Sequence, residues 1–190
     1  MIRLLLNIIS IYIFIIVGGC DHDSSNEMPV SFEFRLLNEN SEVATVFEEG
    51  ENFVLSFLII NDTNEPLFLD QSSIVTEDFL KIYDTNNLNQ ETGKEFSMGK
   101  PYELIFCLYT NGIAIPPNDT LKLEIPWIPN NPWDVNAPYF NTAFCIVNSE
   151  NIPLPKGDYF SGFSSPFVIS VSGEPFSISE QVFNINFTIN

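Results

Sequence analysis

FNINFTI, residues 183–189, alternates apolar and polar residues at every position of the segment. An alternation with a period of two places every second side chain on the same face of a β-strand. VSFEFRL (30–36) and TLKLEI (120–125) have the same pattern. Each of these segments predicts a strand with one face buried and the other in contact with water.

Two further segments are apolar at nearly every position, FVLSFLII (53–60) and YELIFCLY (102–109). They predict central strands that are covered on both faces. Shorter strands are expected at 67–69, 79–84, 143–147, 158–163 and 167–171, and the one helical turn at 73–80. Asn, Asp, Gly and Pro separate these segments at 61–66, 86–87, 116–119, 153–157 and 172–175, as is typical of turns. Short strands at this spacing predict an all-β fold, an antiparallel β-sandwich.

The N-terminus has the features of an export signal. Arg3 precedes an apolar stretch at 4–16, which is too short to span about 30 Å of hydrocarbon but has the length of a signal peptide core. Val17-Gly18-Gly19-Cys20 follows, and it resembles the bacterial lipobox, in which an aliphatic residue and two small residues precede a lipid-modified cysteine. The resemblance implies a cleaved signal peptide at 1–19 and a lipid anchor on Cys20 that attaches the protein to a membrane.

Residues 20–29 are polar after the cysteine and predict a flexible tether, which leaves 30–190 as one folded domain. Asp21 and Asp23 follow the lipidated position. They resemble the signal that directs lipoproteins to the cell surface in one phylum of Gram-negative bacteria, although aspartate there implies inner-membrane retention in enteric bacteria. We expect a lipid-anchored protein of the outer membrane or cell surface.

Three segments of the folded part resemble a known class of module. They are FEEGENFVLSFLIINDTNEPLFL (47–69), IPPNDTLKLEIPW (115–127) and LPKGDYFSGF (154–163). Together they are similar to immunoglobulin-like modules of the intracellular proteinase inhibitor (BsuPI-type) family and of small lipoproteins without an assigned function. The resemblance implies an immunoglobulin-like sandwich. It also gives an alternative to a binding or structural role, namely inhibition of an extracytoplasmic protease through a loop of the sandwich.

The charge balance narrows the choice of partners. The chain has 25 acidic and 7 basic residues, a formal net charge of −18. Binding to the phosphate backbone of nucleic acids requires a basic surface, so a nucleic-acid ligand is not expected. An acidic surface of this kind keeps an exported domain soluble.

The sequence predicts no catalytic or metal centre and no cofactor. Its single histidine, His22, lies in the tether, whereas a catalytic triad or a histidine zinc site needs a rigidly held imidazole. Glu48, Glu49 and Glu51 are read as a solvated turn. The oxygen-rich turn at 62–65 lacks the spacing of an EF-hand. The expectation is therefore a protein that is not an enzyme.

Two cysteines remain besides Cys20. Cys107 and Cys145 are an even number in an exported chain, which permits a disulfide. Each also lies in an apolar stretch, where a free cysteine packs as a small hydrophobic residue. The sequence leaves both alternatives open.

The segment IPWIPNNPWDVNAPYF (125–140) combines four prolines with aromatic residues. Because prolines stiffen a loop, Trp127, Trp133, Tyr139 and Phe140 are candidates for presenting rings to a glycan or a partner protein. The alternative is that these rings cap the end of the sandwich core. Of the two tryptophans, Trp133 is predicted to be the more exposed.

Overall fold

The computed structural model describes residue 28 and residues 30–74, 76–88, 95–104, 112–128 and 146–190. Its twelve strands are β1 Val30–Leu37, β2 Val46–Phe47, β3 Val54–Asn61, β4 Leu67–Leu69, β5 Ile82–Leu88, β6 Glu95–Gly99, β7 Tyr102–Leu104, β8 Ile113–Ile115, β9 Thr120–Pro126, β10 Ile146–Asn148, β11 Gly157–Val171 and β12 Glu174–Ile189. A short 3-10 helix spans Gln71–Ile74, and the described part of the chain contains no α-helix. Within that same part, no helix has the length and apolar character needed to cross a bilayer.

The strands form two layers. The smaller sheet has the order β1-β3-β9, and all its ladders are antiparallel. The larger sheet has the order β2-β12-β11-β4-β8, with β5 and β6 paired beside β11 at the end that β4 does not reach. A separate ladder joins β7 to β10. The predicted all-β sandwich is confirmed, with one correction to its antiparallel character, since β2 pairs with β12 in parallel.

Phenylalanine rings fill the space between the two sheets. Phe57 of β3 lies at the centre and is fully buried. Its ring centroid is 6.1 Å from Phe32, 5.4 Å from Phe163 and 5.1 Å from Phe183. The alternating segments provide Phe32 and Phe183, and the continuously apolar segment 53–60 provides Phe57. Burial of such large side chains is the main stabilising contribution in a core of this kind.

The beginning of β11 contains a hydrogen bond that is typical of immunoglobulin-type sandwiches. The Tyr159 hydroxyl donates to the carbonyl oxygen of Pro155 at 2.7 Å, which is the tyrosine corner of such domains. Antibody domains have a disulfide-bonded cysteine two residues further on. Here that place is taken by Ser161, which is buried and donates instead to the carbonyl oxygen of Lys81 at 2.9 Å.

Several predicted element boundaries are wrong. The segments 158–163 and 167–171 form the single strand β11, and 86–87 is part of β5 rather than a turn. β12 begins nine residues before the predicted start at 183. The helical turn expected at 73–80 is replaced by the 3-10 helix Gln71–Ile74. The strand predicted at 79–84 begins at Ile82. The strand predicted at 143–147 is described only from Ile146, and it ends at Asn148, because 143–145 lie outside the described residues.

The two ends of the sandwich differ in which turns they carry. At one end, which we call the tether pole, β1 begins and the β3–β4, β8–β9 and β11–β12 turns meet. The opposite end, the Trp127 pole, contains the last residues of β1 and β9, the first residues of β3 and the C-terminus of the chain. The strands of the smaller sheet, which have seven or eight residues each, run between the poles and are about 25 Å long.

Candidate binding surfaces

Trp127 lies at the end of β9 and belongs to the core. It is 2% exposed, its indole N–H donates to the carbonyl oxygen of Ile152 at 2.9 Å, and its ring stacks on Phe53 with a centroid distance of 6.1 Å. The interpretation of Trp127 as a ring presented to a ligand is therefore corrected, because no face of a buried indole is accessible. Trp133, Tyr139, Phe140, Cys107, Cys145 and Cys20 lie outside the described residues.

The chain on either side of the aromatic segment is held by two asparagine side chains. The Asn52 amide donates to the carbonyl oxygen of Ile128 at 2.8 Å and accepts from its N–H at 2.9 Å, as a neighbouring strand would. Asn151 donates to the carbonyl oxygens of Trp127 at 3.1 Å and Lys100 at 2.8 Å. The residues that flank 129–145 are thus fixed at the Trp127 pole.

The oxygen-rich turn between β3 and β4 is a set of protein–protein hydrogen bonds. Asp62 accepts from the Ser31 hydroxyl at 3.0 Å, and Glu65 accepts from the Ser172 hydroxyl at 2.6 Å. These carboxylates point to different neighbouring strands rather than to one point. No group of three or more metal-ligating side chains occurs among the described residues.

The three glutamates of the predicted solvated turn also have local roles. Glu51 accepts a hydrogen bond from the backbone N–H of Glu48 at 2.9 Å, and the N–H of Glu49 bonds to the carbonyl oxygen of Asn190 at 3.0 Å. The first bond closes the turn that leads from β2 to β3, and the second joins this turn to the C-terminal residue. A turn that binds its own backbone is explained without a ligand.

The outer face of the larger sheet carries an aromatic pair that the sequence did not suggest. Tyr83 of β5 and Phe160 of β11 are cross-strand neighbours and stack with centroids 4.9 Å apart. The Lys81 ammonium lies 5.4 Å from the centre of the Tyr83 ring. The strands predicted at 79–84 and 158–163 contain these two residues, but no sequence signal identifies the pairing of two strands so far apart in the chain.

A small ionic group lies beside this aromatic pair. Asp78 accepts from the Tyr83 hydroxyl at 2.7 Å and from Lys81 at 3.4 Å. The hydrogen bond from Tyr83 lowers the pKa of Asp78, and the positive charge of Lys81 lowers it as well. Burial acts in the opposite direction and raises this pKa. Burial lowers the pKa of Lys100, and the nearby charge of Lys81 lowers it further. Asp78, Lys81 and Tyr83 thus bind one another on the sheet surface, whereas the Lys100 ammonium donates to the carbonyl oxygen of Thr76 at 3.3 Å.

The chain was compared with known proteins. No protein-family profile and no curated protein matches it. It is 14% identical to a target of the Northeast Structural Genomics Consortium, with a TM-score of 0.31 over 83% of this chain and 85% of that one. It is 10% identical to a beta-glucosidase from Listeria innocua in complex with gluconolactone, with a TM-score of 0.28 over 84% of this chain and 16% of the glucosidase. Both TM-scores are low, so neither likeness bears on what this chain does.

Proposed function

We propose that this protein is an exported lipoprotein, held to a membrane through Cys20, whose immunoglobulin-like sandwich is a binding or structural module without enzymatic activity. The observation that carries the proposal is Val17-Gly18-Gly19-Cys20, which directly follows the apolar stretch at 4–16. Small residues let a peptidase approach the backbone, and the thiol is the nucleophile that takes up a lipid. An acylated terminus with more than one chain gives stable membrane attachment.

The test of the anchor is metabolic labelling with an alkyne fatty acid in the producing bacterium, followed by membrane fractionation. Wild type is expected to carry the label and to sediment with membranes, whereas Cys20→Ala loses both properties. Ser24→Ala is the matched control, since it changes the tether close to Cys20 and should leave labelling intact. Retained labelling of Cys20→Ala would refute the anchor.

The absence of enzymatic activity is proposed from the sequence. The single histidine precedes the sandwich by several residues of tether, so no imidazole is available within 30–190. The acidic side chains of the two oxygen-rich turns form bonds within the protein. Both observations favour a module that binds a ligand or has a structural role over a module that catalyses a reaction.

The proposed ligand is a protein or a glycan, and the proposed contact is the aromatic segment 125–140, of which residues 125–128 are described and lie at the Trp127 pole. Fixed flanks at Ile128 and Asn151 support this assignment, because a loop with anchored ends loses less conformational entropy on binding. Trp133→Ala should abolish binding on arrays of surface glycans or in partner pull-downs while the far-UV circular dichroism spectrum stays unchanged. Unchanged binding would exclude the segment. Inhibition of one enzyme in a protease panel would instead support the inhibitor alternative.

A further inference from the structure

The last strand of the larger sheet is paired on one side only for most of its length. β12 is bonded to β11 from Glu174 to Ile189. On its other side, the described residues provide only the short parallel ladder with β2, at Thr188 and Ile189. Up to Phe187, that edge therefore has no strand partner within the described part of the chain. An edge of this kind presents backbone N–H and C=O groups to which another strand can bind.

Proteins that stay monomeric usually protect such an edge with lysine, proline, a bulge or inward-pointing charge. In β12 these devices occur in the half near the hairpin turn, where Pro175 follows the turn and the register shifts opposite Pro166. QVFNINF (181–187) contains no charged residue, no proline and no glycine. The side chain of Val182, which lies within β12, is 78% exposed. Within the part of the chain that the structure describes, this half of the edge carries no protective feature.

We propose that QVFNINF is a docking edge for a second copy of this chain, which adds its own β12 in antiparallel orientation and joins the two large sheets. The segment is self-complementary. A twofold axis at Asn184 places Phe183 of one copy opposite Ile185 of the other, and Val182 opposite Asn186. On the core side, Phe183 and Ile185 thus meet each other and Gln181 meets Phe187, while the side chains on the outer face meet neutral ones.

The charge distribution favours a second copy as the occupant. With a net charge of −18, two copies repel each other wherever acidic side chains face one another. QVFNINF is a neutral run within this acidic chain, so strand pairing there brings no carboxylates into opposition. A cationic partner would find no electrostatic attraction at a neutral edge and would bind more strongly at the acidic turns. Because the remaining repulsion is long-range, the association should strengthen when salt is added.

The test is sedimentation velocity on the full chain in mild detergent, at low and at high salt. Val182→Lys places a protective lysine on the edge. Val168→Lys is the matched control, because Val168 is an exposed valine on the outer face of β11, a strand paired on both sides. We expect wild type and Val168→Lys to dimerise, more tightly at high salt, and the dissociation constant of Val182→Lys to rise at least tenfold.

Hydrogen exchange on wild type gives a readout that needs no variant. Amides of 181–187 should become more protected as the protein concentration rises, while amides of β8, at the opposite edge of the sheet, should not change. Equal dimerisation of the two lysine variants, or equal loss in both, would overturn the proposal. A wild type that stays monomeric at high salt would also overturn the proposal. That result would indicate that the edge binds an extended segment of a different protein.

Discussion

Asn61 lies at the end of β3, is 1% exposed, and holds two turns of the tether pole together. Its amide N–H groups face the carbonyl oxygens of Glu65 at 2.8 Å, Ile115 at 3.1 Å and Pro116 at 2.9 Å. Its oxygen accepts from the N–H and the hydroxyl of Thr63 at 3.0 and 2.7 Å. A buried amide with all its bonds made fixes the loop geometry and costs little desolvation free energy.

At this scale the sequence predicted residue types better than residue roles. The sequence places Asn61 in the turn 61–66, whereas it is the last residue of β3, and its bonds to the carbonyl oxygens of Ile115 and Pro116 depend on residues more than fifty positions away. Trp127 was a candidate for a ligand because it sits in a proline-rich run. The structure buries it against Phe53, since β9 continues to Pro126 and aims the next side chain inward. The composition of the segment alone does not distinguish a buried Trp127 from one that is exposed to a ligand.

The buried tyrosines give a prediction for alkaline pH. Burial raises the pKa of Tyr102, whose hydroxyl donates to the carbonyl oxygen of Phe79 at 3.3 Å. Tyrosine in the unfolded chain ionises near pH 10. Because the folded-state pKa is higher, the unfolded state loses its proton first. The stabilisation is complete below about pH 10 and declines as the pH rises above it.

Tyr102→Phe should therefore flatten the alkaline fall in the free energy of unfolding, measured by urea denaturation between about pH 7 and pH 11. At neutral pH the variant should be less stable by about 1 kcal/mol, because it loses one hydrogen bond. Curves for wild type and variant that run parallel through the alkaline range would contradict the assignment.

β11 shows why strand boundaries were harder to predict than strand existence. Pro166 interrupts the pattern between 163 and 167, and the expected consequence was two separate strands. In the structure the strand continues through the proline, because the register against β12 shifts between Ser165 and Phe167. Proline lacks the N–H that a regular ladder uses, and a bulge is one of the few places where a strand accommodates it. The same point separates the ladder with β5 from the ladder with β4.

The β7–β10 ladder gives a prediction for the two cysteines of the folded part. Leu104 at the end of β7 lies opposite Ile146 at the start of β10. Cys107 follows Leu104 by three positions in the sequence, and Cys145 directly precedes Ile146. The two segments that lead to the cysteines therefore leave this ladder at the same end. We expect a disulfide between them, closing a loop that would stabilise the fold by about 3–4 kcal/mol.

Intact mass spectrometry before and after reduction, on protein alkylated without reductant, measures this bond directly. Cys107→Ala and Cys145→Ala should lower the free energy of unfolding by similar amounts, and the double variant should lose no more than either single one. Two free thiols, or additive losses, would show that the cysteines pack as separate hydrophobic residues.

For the whole molecule, the position of Val30 at the tether pole relates the proposed anchor to the orientation of the domain. If Cys20 is in the membrane, the tether enters the sandwich at the end that carries the β3–β4, β8–β9 and β11–β12 turns. Acidic residues at these turns, among them Asp62 and Glu174, give this end no attraction to an anionic lipid surface. The Trp127 pole would then face away from the bilayer.

Energy transfer to a dye in the lipid headgroups tests this orientation on sparsely loaded liposomes. Glu174→Cys and Glu49→Cys are exposed, charge-matched positions at the tether pole and the Trp127 pole, and each can carry the donor fluorophore. Transfer should be clearly stronger from position 174, since β12 runs from there to the pole that carries Glu49, and even the shorter strands between the poles are about 25 Å long. Equal transfer from both positions would show that the domain has no preferred orientation.

The direction of β12 has a consequence for cells that carry this protein. The strand runs from the tether pole towards the Trp127 pole, so antiparallel pairing of two β12 strands places the two tether poles at opposite ends of the dimer. Two copies that stand upright in the same leaflet point the same way and cannot pair in this manner. Copies on facing membranes can. Self-association through QVFNINF would thus act as an adhesive between neighbouring cells or vesicles, and Val182→Lys would prevent the clumping of proteoliposomes.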